Sequence, residues 1–172
     1  MKTKLLLIVM LFVLAVSANA QTKATSTDTK TFKIGAGAMI GLPTGDSSDF
    51  FSLTYGVDLM GEYAIAPTYA LTLSAGYADW ALKSKYKDVL DAEAGMIPVL
   101  AGVKYYFSDK IYGSAQLGLT FYTESGSGNA FTFAPGVGYK ITDKFDLLLK
   151  YQSASKDGST VSFLGVRAGY SF

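Results

Sequence analysis

The 172-residue chain contains no histidine and no cysteine, and these two absences remove most of the chemistry a small protein can host. Without histidine there is no base for a Ser-His-Asp triad, and zinc sites built on histidine or cysteine are excluded as well. A disulfide framework and a lipid-modified amino-terminal cysteine are equally impossible. Carboxylates remain. Asp58 and Glu62 are candidates for acid–base work, but four residues along a strand place them on one face about 13 Å apart, too far for a direct pair. The turn Thr44-Gly45-Asp46-Ser47-Ser48-Asp49 is acidic but lacks the regular ligand spacing of a calcium loop. The chain is therefore read as no enzyme, with no cofactor and no metal site.

The elements that would position these residues begin after a leader. Lys2 and Lys4 precede an apolar run from Leu5 to Val16, and Ser17-Ala18-Asn19-Ala20 supplies a small-x-small cleavage site before Gln21. That run is about twelve residues, against the roughly twenty that a spanning helix needs. Residues 1–20 are thus expected to be a cleaved signal peptide, 21–31 a flexible Thr- and Lys-rich segment and 32–172 one domain. Removing Lys2 and Lys4 from the 15 basic residues leaves 13 against 14 acidic ones, a formal charge of −1. Neither nucleic-acid nor polyanion binding has support in such a balance.

Eight strand-like segments follow, at 32–42, 52–65, 69–80, 96–107, 111–122, 130–140, 145–153 and 162–172. Most approach the 9–11 residues with which a tilted strand crosses a bilayer. The links Ala66-Pro67-Thr68, Ser108-Asp109-Lys110 and Ile141-Thr142-Asp143-Lys144 are tight, whereas those around 43–51, 81–95, 123–129 and 154–161 are longer and polar. Short and long links alternate, as in an even-stranded up-and-down barrel with short turns at one rim and longer loops at the other.

Alternation within the strands separates two faces. Ile111, Gly113, Ala115, Leu117, Leu119 and Phe121 oppose Tyr112, Ser114, Gln116, Gly118, Thr120 and Tyr122. In the last strand Leu164, Val166, Ala168, Tyr170 and Phe172 oppose Gly165, Arg167, Gly169 and Ser171, with only Phe163 out of pattern. On the apolar face, Phe32, Tyr63, Tyr69, Tyr105, Phe107, Tyr139, Phe145, Tyr170 and Phe172 fall near the short-turn rim. Tyr55, Tyr77, Phe121, Phe131 and Tyr151 fall near the other. Two aromatic girdles around an apolar band mark water interfaces. The fold class is all-β, an eight-stranded antiparallel up-and-down transmembrane β-barrel. Pro98 and Pro135 lie inside the fourth and sixth strands, where a missing ladder donor predicts a bulge or a late strand start, and Pro135 leaves the sixth-strand register open.

The stretch Ile97-Pro98-Val99-Leu100-Ala101-Gly102-Val103-Lys104-Tyr105-Tyr106-Phe107, the tight turn after it and the ending Tyr170-Ser171-Phe172 resemble the small outer-membrane β-barrel family, OmpA/OmpX-like barrels of Gram-negative bacteria. The resemblance implies residence in outer-membrane lipid and assembly by the barrel-insertion machinery, which reads the terminal strand; Tyr170 and Phe172 match that assembly signal. It implies little about function, since such barrels share a pattern and not an active site.

With the faces so assigned, Lys33, Asp58, Glu62, Lys104, Gln116, Lys140, Asp146, Lys150, Gln152 and Arg167 point inward. An eight-stranded barrel is just wide enough for side chains to fill it, and buried charges of both signs must pair. The expected lumen is a salt-bridged plug, which leaves a structural or surface-interaction role through the outer loops toward an envelope or host partner. Lys83, Lys85 and Lys87, then Asp88, Asp91 and Glu93, make a loop suited to lipopolysaccharide phosphates or a partner protein, or a merely solvated one. Two alternatives stand: a narrow ion or small-solute channel along the same charges, and a soluble secreted lipocalin-like binder with the faces inverted.

Overall fold

The computed structural model describes residues 31–83, 95–124 and 128–172. The leader, the segment 21–30 and the charged link residues Lys85, Lys87, Asp88, Asp91 and Glu93 lie outside the described residues. Eight antiparallel strands close on themselves in sequence order, β1 (Phe32–Thr44), β2 (Phe51–Ala66), β3 (Tyr69–Leu82), β4 (Met96–Tyr106), β5 (Ile111–Tyr122), β6 (Asn129–Lys140), β7 (Phe145–Lys156) and β8 (Ser159–Ser171), with β8 hydrogen-bonded to β1. Closure leaves no strand edge unpaired, which is what a sheet needs where no water can satisfy its backbone. The turns after β4 and β6 are built alike. Ser108 Oγ accepts from the amides of Lys110 and Ile111, and Thr142 Oγ from those of Lys144 and Phe145, the short side-chain-to-backbone bonds by which such residues make turns.

Two local expectations need correction, at the link 154–161 and at the prolines. The link at 154–161 is not long: β7 and β8 continue to Lys156 and from Ser159, joined by Asp157 and Gly158 at φ 49° and 83°. Two consecutive positive φ values define the tight hairpin turn for which Asp-Gly is the strongest short signal, so long and short links do not alternate strictly. The link at 43–51 contains a single helical turn, α1 (Ser47–Phe50). Its serines serve the fold: Ser48 Oγ donates to the Gly45 carbonyl at 2.7 Å, and Ser47 Oγ accepts the Ser162 amide at 3.2 Å. At the prolines there is neither a bulge nor a late start. Pro135 pairs with Ala115 of β5, and β6 meets β7 in one register on both sides of a gap at Ala134 and Pro135. Pro98 pairs with Thr120, and the gap falls on the β3 side. Each proline turns its donorless side to one neighbour and the ladder skips that pair.

The outward face is apolar, from Val57, Leu73 and Leu117 in the middle to Phe32, Phe107 and Phe145 at the short-turn rim. There the girdle rings touch: Tyr69 and Tyr105 lie 4.8 Å apart, Tyr105 and Phe107 5.0 Å, Phe145 and Tyr170 4.8 Å, and Tyr170 and Phe172 5.5 Å between centroids. The buried residues fill the lumen, with the charges among them, so the soluble lipocalin-like reading is overturned: its polarity is the reverse of what the wall presents.

Candidate functional site

The lumen is built in layers. Nearest the short-turn rim, Lys104 Nζ meets Glu62 Oε2 at 2.7 Å, and Tyr106 donates its hydroxyl to Glu62 Oε1. Lys33 stands opposite Glu62 in the β1–β2 register, exposed at the rim, and Lys140 stands opposite Asp146 with its ammonium 5.3 Å from the Tyr106 ring. Tyr112 donates to Asp146 Oδ2, and its ring lies 4.6 Å from Lys104 Nζ.

Arg167 occupies the next layer. Its Nε reaches both oxygens of Asp58 at 2.9 and 2.7 Å, its Nη2 reaches Asp58 Oδ1 at 2.6 Å, and its Nη1 lies 3.8 Å from Asp146 Oδ1. This fork-like contact is the strongest geometry available to a carboxylate. It joins β8 to β2 across the intervening β1, and Gly37, paired with both Asp58 and Gly169, is what lets it pass. A Cβ at Gly37 would fall on the guanidinium, 2.5 Å from Nε.

Above this, Gln116 Nε2 donates to Thr72 Oγ1 at 3.3 Å and Ser74 Oγ at 3.1 Å, and Lys150 Nζ donates to Gln152 Oε1 at 3.0 Å. The layer beyond is apolar: Met39, Ala78, Trp80, Met96 and Phe163 pack together, with Phe51, Tyr122 and Val161 against them. Trp80 meets Phe51 at 5.1 Å with the rings tilted by 51° and Phe163 edge-on at 5.7 Å, while its Nε1 points at Met96 Sδ, 3.4 Å away. Among the described residues every buried side-chain nitrogen or oxygen has a partner.

The inward residues expected from alternation therefore come together in two clusters, Glu62 with Lys104 and Asp58 with Arg167 and Asp146. Asp58 and Glu62 do not meet each other. Lys150 departs from the expected pairing of charges, since its hydrogen-bond partner is an amide. The apolar plug was missed. Phe163, only 1 % exposed, breaks the polarity pattern but obeys the parity of its strand, and that parity was the available sign. Tyr106 and Tyr112 share parity with Lys104 and Gln116 and were legible in the same way. As chemistry, the arrangement pairs the buried charges and fills the bore.

A family model described as outer membrane protein beta-barrel domain matches residues 8–172. No curated protein matches the chain by sequence. Among solved structures, the attachment invasion locus protein Ail of Yersinia pestis superposes with a TM-score of 0.58 at 16% identity, covering 82% of this chain and 97% of that one. The N-terminal β-barrel domain of Pseudomonas aeruginosa OprF gives 0.57 at 13%, covering 83% and 99%. Neisserial surface protein A gives 0.52 at 13%, covering 84% and 100%. At these identities the likeness is one of fold.

Proposed function

The chain belongs to the outer membrane protein beta-barrel family and resides in the outer membrane, and from that premise we propose a non-catalytic role exercised by the links at the outer rim. In barrels of this kind the short turns face the periplasm and the longer links face outside, which puts α1, the link 83–95 and the link 123–128 at the cell surface. Tyr170 and Phe172 serve as the contact for the barrel-insertion machinery. The observation that carries the reading is the filled lumen: an ionic lower part locked by Arg167 and Asp58, and above it an apolar layer of Trp80, Met96 and Phe163. A barrel filled across its bore has only its two rims left for partners.

The Yersinia pestis protein has been crystallised with the heparin analogue sucrose octasulfate. That suggests a polyanionic glycan as the first partner class to probe here, although the chain's overall charge does not favour one: Lys83, Lys85 and Lys87 supply local cations on one outer link, followed by Asp88, Asp91 and Glu93. Cells displaying the full chain are expected to be retained on immobilised heparin more strongly than cells in which Lys83, Lys85 and Lys87 are each replaced by Gln. Equal retention contradicts a role for these lysines. The second reading, a narrow ion path, rests on one observation: inward charge runs from Lys104 and Glu62 at one end to Lys150 near mid-barrel, and a single apolar layer lies between it and the outer rim.

A further inference from the structure

Lys150 sits near the middle of β7, faces the lumen and is 7% exposed. Its one hydrogen bond is to the uncharged amide of Gln152, and the nearest ring, Phe163, is 5.9 Å away. Among the described residues no carboxylate lies within salt-bridge distance of it. Asp58 is engaged through both oxygens by Arg167, and the remaining reach of Arg167 goes to Asp146. An ammonium at membrane depth without a carboxylate in contact is costly and in such proteins marks a functional position.

Beside Lys150 lies a cavity of about 20 Å³, bounded by its side chain together with Asp58, Gln116 and Arg167 and otherwise largely by apolar residues such as Met60 and Leu100. A cavity needs roughly 10–15 Å³ to hold one water-sized particle, so this one has room for a single occupant. Its charged lining is two cations, Lys150 and Arg167, and one carboxylate, Asp58; Asp146, the second carboxylate on Arg167, does not line it. The amide hydrogens of Gln116 are directed to Thr72 and Ser74, whereas Lys150 has hydrogens to spare, its ammonium carrying three and Gln152 taking one; Arg167 Nη1, 3.8 Å from Asp146 Oδ1, is the other cationic donor on the cavity.

We propose that this cavity is a binding site for one small monovalent anion, of the halide class, held by the Lys150 ammonium. The anion supplies a counter-charge in direct contact with the ammonium, which no carboxylate of the wall makes, and completes the mid-lumen layer between the Arg167–Asp58 pair and the apolar plug.

Two measurements on the full-length refolded protein test this. In crystals grown from sodium bromide, the anomalous signal places bromide in the cavity beside Lys150 Nζ; a cavity holding water alone overturns the assignment. In solution, the urea midpoint of folded protein rises in sodium chloride or bromide over sodium gluconate at equal ionic strength, as for any ligand bound only by the folded state. Lys150→Met abolishes that difference. A midpoint that follows ionic strength and not the identity of the anion, or a halide effect that survives in Lys150→Met, overturns the proposal. The crystallographic arm needs no variant, so it decides the matter even if Lys150→Met fails to fold.

Discussion

Arg167 is the residue on which the lumen most depends, because two carboxylates from different strands converge on it. Arg167→Met leaves Asp58 and Asp146 buried without their cation, and removing one partner of a buried pair costs about 3–5 kcal/mol. The urea midpoint of the heat-modifiable folded band should fall accordingly, and adding Asp58→Asn should recover part of the loss. Gly138 makes a second residue-scale test: a Cβ there would enter the ring of Tyr112, so Gly138→Ala should cost about 1–3 kcal/mol by overpacking, read from the same band. Period-two alternation told which residues look inward, and every charge it placed in the lumen has inward parity. It could not tell which acid meets which base. Arg167 and Asp58 are 109 positions apart on strands that are not neighbours, and their meeting depends on barrel closure and on the bare backbone of Gly37. Charge balance alone also suggested a carboxylate for Lys150, which packing did not provide.

At the scale of elements, the strands were legible because each carries an uninterrupted two-residue period, and β5 runs over the same Ile111–Tyr122 span that the alternation marks. The errors sit where polarity and geometry part company. The Ala154–Thr160 stretch reads as a polar loop by composition, yet β7 and β8 extend through it because Asp157 and Gly158 accept positive φ. Gly158→Val should therefore cost about 1–3 kcal/mol, the usual range for a residue held in a sparsely populated conformation, and urea titration would show it. Pro135 bears on the opposite error. Pro135→Ala offers β7 a donor worth about 0.5–1.5 kcal/mol but loosens the unfolded chain by about 0.4–1 kcal/mol. The two nearly cancel, so the variant should unfold within about 1 kcal/mol of wild type. A larger gain would mean that the ladder gap is strained.

For the whole molecule, the decisive property is polarity turned inside out: an apolar, aromatic-girdled wall around a charged and plugged interior. Leu117 faces outward near the middle of β5, and Leu117→Arg should cost about 2–4 kcal/mol when the protein is folded into lipid vesicles, the penalty for a cation at the bilayer midplane. In a soluble barrel the same change would be nearly neutral. This architecture was legible in the sequence because the alternation and the paired girdles each pointed to a wall facing lipid. The plug was less so, since Trp80 and Phe163 come from strands far apart in sequence and only closure of the barrel brings their rings to 5.7 Å. The central claim, that the bore is sealed and function lies at the outer rim, is tested most directly by single-channel recording of folded protein in a planar bilayer. Folding is verified beforehand by heat-dependent gel migration. The filled lumen predicts electrical silence across the bilayer. Stable, reproducible conductance steps from the wild-type chain would contradict it.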